Sequence, residues 1–240
     1  MSASEARFDA RLIPVSKRDG IRWLTVLNGP AATAYRARVA RVAPRIESVL
    51  APCVIANRLS LPARPATGPG FHLEPWRSAR RRLLAEARRR LATRRALLLT
   101  DVKACFPSIR PEIVNERLLE LGCKPLEVRR IANVLDEFRQ QGVTGLPVGP
   151  EPSAILANAV LEAADRAIAV AGADHLRWVD DFLVFAADAD QAGAVLERLR
   201  SSLAALGLAL SEPKTRLIED SRLALAAIER GAPSALEPRL

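Results

Sequence analysis

Two adjacent aspartates, Asp180-Asp181, lie between two short apolar segments, Leu176-Arg177-Trp178-Val179 and Phe182-Leu183-Val184-Phe185. Segments of that length and composition read as β-strands, which makes the acid pair the turn of a hairpin. Ionised carboxylates so close to apolar strands carry a desolvation cost, and a bound cation is one way to offset it. Asp101 supplies a third carboxylate at the end of another apolar run, Ala96-Leu97-Leu98-Leu99-Thr100. Three carboxylates on neighbouring strand ends suit a pair of Mg²⁺ ions whose other positions go to water and phosphate oxygens. For an isolated Asp-Asp pair the competing reading is a solvated turn.

The rest of the chain frames these strands with helices. Residues 11–26 read as short extended segments around the turn Lys17-Arg18-Asp19-Gly20, with Lys17 and Arg22 flanking it. A helix is expected over 31–50, a Pro- and Gly-rich loop over 62–75, and an arginine-dense helix over 76–95 that includes Arg80, Arg81 and Arg88. That helix is either a polyanion-binding face or a solvated one. Helices over 111–121, 126–140 and 152–170 precede the hairpin, and a helix over 190–206 and a strand over 208–210 follow it. The order implies an α+β fold, an antiparallel sheet covered on one face by helices.

Composition narrows the function classes. The net charge is +9 and the pI near 10.6, a balance that favours polyanionic partners, although a compositional bias toward Arg and Ala produces the same excess. The three cysteines, Cys53, Cys105 and Cys123, have no CxxC spacing, and His72 and His175 are the only histidines. Zinc sites, disulfide frameworks and Cys/His nucleophile pairs are therefore not expected, and reduced thiols in a cytoplasmic protein are. Residues 1–17 hold no apolar stretch of signal-peptide length and no segment approaches about 18 uninterrupted apolar residues, so neither secretion nor a membrane span is expected.

Four stretches, taken in order, resemble the palm motifs of reverse transcriptases. Asp101-Val102-Lys103-Ala104-Cys105-Phe106 is similar to the first, an aspartate with an aromatic five positions on. Gly145-Leu146-Pro147-Val148-Gly149-Pro150-Glu151-Pro152-Ser153 resembles the second, LPxG followed by a serine. Trp178-Val179-Asp180-Asp181 resembles the third, and Leu210-Ser211-Glu212-Pro213-Lys214-Thr215 the fourth. Upstream, Ile13 to Arg22 and Ala56-Asn57-Arg58 are similar to the fingers of compact bacterial group II intron, retron and antiphage-defence enzymes.

The resemblance implies a polymerase palm over 96–220, a fingers-like region over 1–95 and a short C-terminal tail over 221–240. It implies an RNA-directed DNA polymerase adding dNTPs to a DNA or RNA primer on an RNA template. Asp101, Asp180 and Asp181, with the backbone of Val102, would hold two Mg²⁺ ions, Mn²⁺ being a substitute, and Lys214 would face the departing pyrophosphate. Lys17 and Arg22 would grip the triphosphate, Phe106 would exclude a 2′-hydroxyl, and Gly149 would allow close backbone approach. Arg58, Arg80, Arg81, Arg88, Ser153 and Trp178 would contact nucleic acid. Only 24 residues follow Arg216, so a thumb is expected to be absent or vestigial, its role falling to a noncoding RNA or a second protein.

Two other readings compete. A catalytically silent nucleic-acid-binding scaffold would use the same fold, but has no evident reason to keep so costly an acidic cluster. A two-metal nuclease would need a nearby general base or further Glu or His ligands, which the sequence does not offer.

Overall fold

The computed structural model describes residues 8–17, 20–60 and 70–231. In chain order they form β1 (Ala10–Lys17), β2 (Gly20–Leu27), α1 (Gly29–Ala40), α2 (Ala43–Val49), α3 (Trp76–Leu91), β3 (Ala96–Asp101), α4 (Cys105–Ser108), α5 (Pro111–Glu120), α6 (Pro125–Gln140), α7 (Glu151–Val170), β4 (Asp174–Trp178), β5 (Asp181–Ala186), α8 (Ala189–Ala205), β6 (Arg216–Ile218) and α9 (Ser221–Gly231). Arg18 and Asp19 of the expected first turn lie outside the described residues.

Pro44 explains why the expected helix over 31–50 is two helices. It lacks an N–H, and its ring would crowd the carbonyl of Ala40 in a continuous helix; the chain turns at Arg41-Val42 and restarts at Ala43. Asn28 caps α1, its side chain accepting from the Ala31 amide at 3.0 Å, and Asp188 caps α8 through the Gln191 amide at 2.8 Å.

By contacts the chain divides into two compact units. One holds the described parts of residues 1–50, 61–72 and 104–160. In it β1 and β2 form an antiparallel ladder in which Val15 faces Arg22. Tyr35 of α1 meets Phe138 of α6 edge to face, with ring centroids 5.4 Å apart, and its hydroxyl lies 3.0 Å from that of Ser153.

The other unit holds 51–60, 73–103 and the described part of 161–240, so α7 runs from the first unit into the second. Its centre is an antiparallel sheet of order β4-β5-β3-β6. β3, Ala-Leu-Leu-Leu-Thr-Asp, has little intrinsic strand preference; it is a strand because both of its faces are covered. Leu97, Leu176, Trp178, Leu183 and Phe185 pack with Ala79, Leu83 and Ala87 of α3 and with Ala224 and Ile228 of α9 in one buried cluster. Residues 221–231, read from sequence as a tail, are thus a helix that completes this core. The strand expected over 208–210 is reduced to an isolated bridge between Leu210 and Val102, and the fourth strand is β6, paired to β3 through Leu97–Ile218 to Leu99–Arg216.

Candidate active site

β3 and β5 run antiparallel with Leu97 opposite Phe185, Leu99 opposite Leu183 and Asp101 opposite Asp181. Residues directly opposite in such a ladder project from the same face, so two of the three sequence-selected carboxylates emerge together at the end of the sheet. Asp180 sits in the turn between β4 and β5, and its carbonyl accepts from the Val102 amide at 3.1 Å. On the other side of β3, the Lys103 amide donates to Ala209 O and the Ser211 amide to Asp101 O, both at 2.8 Å. These bonds carry the chain into the turn Glu212–Lys214 and bring the Lys214 ammonium onto Asp101 Oδ2. Asp101, Asp180, Asp181 and Lys214 are therefore neighbours, although Asp101 and Lys214 are 113 positions apart.

The electrostatics follow from crowding. Burial, then the charges of Asp180 and Asp101, push the Asp181 carboxyl up to about 7, with Lys214 pulling it back. Burial works against the Lys214 ammonium, but its hydrogen bond to Asp101 and the charges of Asp101, Asp181 and Asp180 outweigh that and hold it above the usual lysine value. Asp101 is 4% exposed, and its Oδ1 is buried without a hydrogen-bond partner. A buried carboxylate oxygen with no donor is an open acceptor, and a hard all-oxygen donor set of this kind fits Mg²⁺. The residues present fit the expected metal. Among the described residues, the trio of ligand types whose ligand atoms all lie within 4.8 Å of one another is a different one: Cys53, Asp165 and His175. Burial, ahead of the charge of Asp165, pushes the Cys53 thiol up to about 12, and Asp165 is already engaged by Arg177 and His175.

The remaining sequence-selected residues take varied places. Phe106, in α4, is half-buried, and its carbonyl accepts from the Leu146 amide at 2.8 Å, tying the first motif to the second. Gly149 has φ +119, and next to it Val148 O accepts from the Thr25 amide at 2.8 Å. Ser153 is fully buried against Tyr35. Arg22 is exposed on β2, whereas the Lys17 side chain lies outside the described residues. Arg58 donates to the carbonyls of Ala51 and Val54 at 3.0 and 3.2 Å. Within α3, Arg81 is exposed; Arg80 donates to Glu229 O at 3.0 Å and Arg88 pairs with the Glu229 carboxylate at 2.7 Å, both fastening α9. Trp178 is 6% exposed and belongs to the sheet's core cluster.

Sequence reasoning missed four residues around the acid pair. Val179 has φ +56, a left-handed conformation that a β-branched side chain rarely adopts. Arg177 is fully buried, its Nε 2.8 Å from Asp165 Oδ1 and its Nη2 2.7 Å from Oδ2. His175 Nε2 lies 3.0 Å from Asp165 Oδ1. Arg177 alone carried a signal, a charge inside an apolar strand. Asp165 lies twelve positions upstream on α7, between Glu162 and Arg166, where a further charge looks like part of an exposed face.

Comparison with known proteins agrees with this geometry. Residues 34–226 match the family model described as reverse transcriptase (RNA-dependent DNA polymerase). No curated protein matches the chain. Among solved structures, a telomerase from Candida albicans in complex with the TWJ fragment of telomeric RNA superposes with a TM-score of 0.51 at 13% identity, covering 87% of this chain and 41% of that one. Apo telomerase from Candida Tropicalis gives 0.60 at 13% identity, covering 91% of this chain and 45% of that one, and its form truncated from the C-terminal domain gives 0.54 at 14%, covering 87% and 49%. The chain spans less than half the length of these structures, and at such identities the likeness is one of fold. Among the described residues no helix is long and apolar enough to cross a membrane. With the family model spanning most of the chain and the three aspartates at adjacent strand ends, this chain belongs to the reverse transcriptase (RNA-dependent DNA polymerase) family of nucleotidyltransferases.

Proposed function

We propose that the chain is an RNA-directed DNA polymerase that extends a DNA or RNA primer on an RNA template with dNTPs. The observation that carries this reading is the pairing of Asp101 with Asp181 across the β3–β5 ladder, with Asp180 adjacent and Asp101 Oδ1 left without a donor. Asp101, Asp180, Asp181 and the Val102 backbone would hold two Mg²⁺ ions, with Mn²⁺ as a substitute; bound there, the ions supply activation of the primer 3′-hydroxyl and neutralisation of the leaving pyrophosphate. Lys214 gives a proton to the departing pyrophosphate, a role that its ion pair with Asp101 beside the acid cluster supports. Phe106 acts as the sugar gate, and Arg22 with Lys17 as the triphosphate grip. Arg81, exposed on α3, is a phosphate contact to a nucleic-acid backbone. The motif resemblance to compact bacterial enzymes favours a retroelement or antiviral-defence setting.

The test is primer extension on poly(rA)/oligo(dT) with Mg²⁺ and dTTP, comparing the wild-type chain with Asp180→Ala/Asp181→Ala. Extension that the double variant loses supports the reading. Absence of extension, with RNA binding intact in both proteins and no recovery on adding co-purifying RNA or protein, replaces it with a nucleic-acid-binding scaffold.

A further inference from the structure

Asp180 hangs between two peptide planes, and each is held from a different side. The plane after it is fixed by its carbonyl, which accepts from the Val102 amide of β3 at 3.1 Å. The plane before it is fixed by the Val179 carbonyl, which accepts from Arg177 Nη1 at 2.9 Å. Val179 itself is the strained residue of the turn, with φ +56, and strain of this sort persists only where the surroundings over-determine it. Arg177 is what over-determines it here.

The guanidinium cannot easily turn away. Its Nε donates to both oxygens of Asp165, at 2.8 and 3.1 Å, and its Nη2 to Oδ2 at 2.7 Å, so that one edge of the planar fork is locked on a carboxylate and the other edge points at Val179 O. His175 makes a second contact to Asp165 Oδ1. His175 and the Arg177 guanidinium also lie over the ring of Phe182, at 6.3 and 5.9 Å. The Arg177 backbone is pinned as well: its N–H donates to Cys53 O and its carbonyl accepts from the Ile55 amide, both at 2.8 Å.

Stability alone is a poor reason for such a pair. Arg177 is fully buried and Asp165 is 3% exposed; a buried ion pair of this kind can often be exchanged for apolar side chains without loss of stability, because desolvation offsets the attraction. What apolar side chains cannot supply is a directed donor to Val179 O. We propose that Arg177, clamped by Asp165 and His175, is a positioning residue that holds Val179 left-handed and so sets the Asp180-Asp181 turn. This rests on the reading of that turn as the metal-holding end of the palm.

The experiment uses the full chain with Asp165→Leu/Arg177→Met, which removes both charges together so that none is left buried alone, and with Arg177→Lys as the milder change. Amide exchange is followed residue by residue, and Mn²⁺ affinity is measured by titration. The proposal expects the Val102 amide to exchange about tenfold faster while the amides of the β3–β5 ladder keep their protection, and Mn²⁺ to bind about tenfold more weakly. Adding Val179→Gly, which is at ease at φ +56, should return part of both losses. Unchanged exchange at Val102, an equal loss across the ladder, or no recovery with Val179→Gly overturns the proposal. If Val102 responds selectively and glycine rescues it, but wild type and Asp180→Ala/Asp181→Ala bind Mn²⁺ alike, the brace stands and the metal-site reading falls.

Discussion

Asp101 and Asp181 face each other across the last rung of the β3–β5 ladder, a position in which two like charges repel. The cost appears in Asp181, whose carboxyl is pushed up to about 7 by burial and by the neighbouring charges of Asp180 and Asp101. The folded state therefore holds a proton on Asp181 at pH values where the unfolded chain, near pKa 3.9, has released it. The contribution of Asp181 to the stability of the metal-free protein falls as pH rises from about 4 to about 7 and is level above that. Asp181→Asn removes the penalty. The variant should melt higher than wild type at pH 8, with roughly 2–4 °C gained per kcal/mol relieved, and at the same temperature as wild type near pH 4. Mg²⁺ should raise the wild-type midpoint more than that of Asp181→Asn. Calorimetry at the two pH values, with and without Mg²⁺, checks all three; a variant no more stable than wild type at pH 8 would show that Asp181 carries no such burden.

Lys214 supplies the positive charge on the exposed side of the cluster, its side chain 57% exposed against 6% for its partner Asp101. As general acid toward pyrophosphate it should matter to turnover more than to binding. Lys214→Ala is expected to lower kcat by on the order of 10²-fold with little change in the KM for dTTP, and Lys214→Arg to keep part of the rate. Single-turnover incorporation, which isolates the chemical step, is the measurement. A rise in KM at unchanged kcat would instead make Lys214 a binding residue.

How much of this was legible in the sequence depends on the range of the interaction. The acid pair between apolar strands and the third acid ending an apolar run stood out because charge in apolar surroundings is locally conspicuous, and the hairpin follows from the same few residues. β6 has no readable pattern, two of its three residues being exposed; they form a strand only because β3 offers them an edge. α9 was read as tail although Leu223, Ala224, Ala227 and Ile228 recur at helical spacing, and only tertiary packing shows that Ala224 and Ile228 complete the sheet's core. In the arginine-dense α3 the sequence shows the charge but not its intramolecular partners: Arg80 and Arg88 reach Glu229 from 141 or more positions away, and Arg82 pairs with Glu74. Of the Arg177–Asp165 clamp only Arg177, a charge inside an apolar strand, is conspicuous in the sequence; its partner is visible only once β4 has been laid beside the second half of α7.

Two glycines of the second motif should respond differently to alanine. A Cβ at Gly145, φ +62, would run into the carbonyls of Phe106 and Pro107, whereas at Gly149, φ +119, the nearest atom is Thr25 O at 3.7 Å, an ordinary contact. Gly149→Ala meets only backbone strain, about 1–3 kcal/mol. Gly145→Ala meets strain and collision with backbone that cannot step aside, and should reach about 4 kcal/mol or more, in the range reserved for gross misfits. Urea denaturation of both variants ranks them; equal losses would mean that the α4 backbone yields to the new methyl group.

Phe106 connects this packing to substrate choice. Its ring is half-buried, and its carbonyl is bonded to the Leu146 amide, a bond that truncating the side chain leaves in place. Phe106→Ala should therefore keep the fold while removing the bulk that excludes a 2′-hydroxyl. The expected outcome is a ratio of kcat/KM for dTTP over UTP that falls by about 10- to 100-fold, the range that a steric contact in a pocket can impose. Most of that change should come from improved use of UTP rather than from loss of dTTP incorporation. Incorporation of each nucleotide on the same poly(rA)/oligo(dT) substrate gives the ratio directly. An unchanged ratio with intact incorporation would make Phe106 a packing residue and move the search for the sugar gate to another side chain.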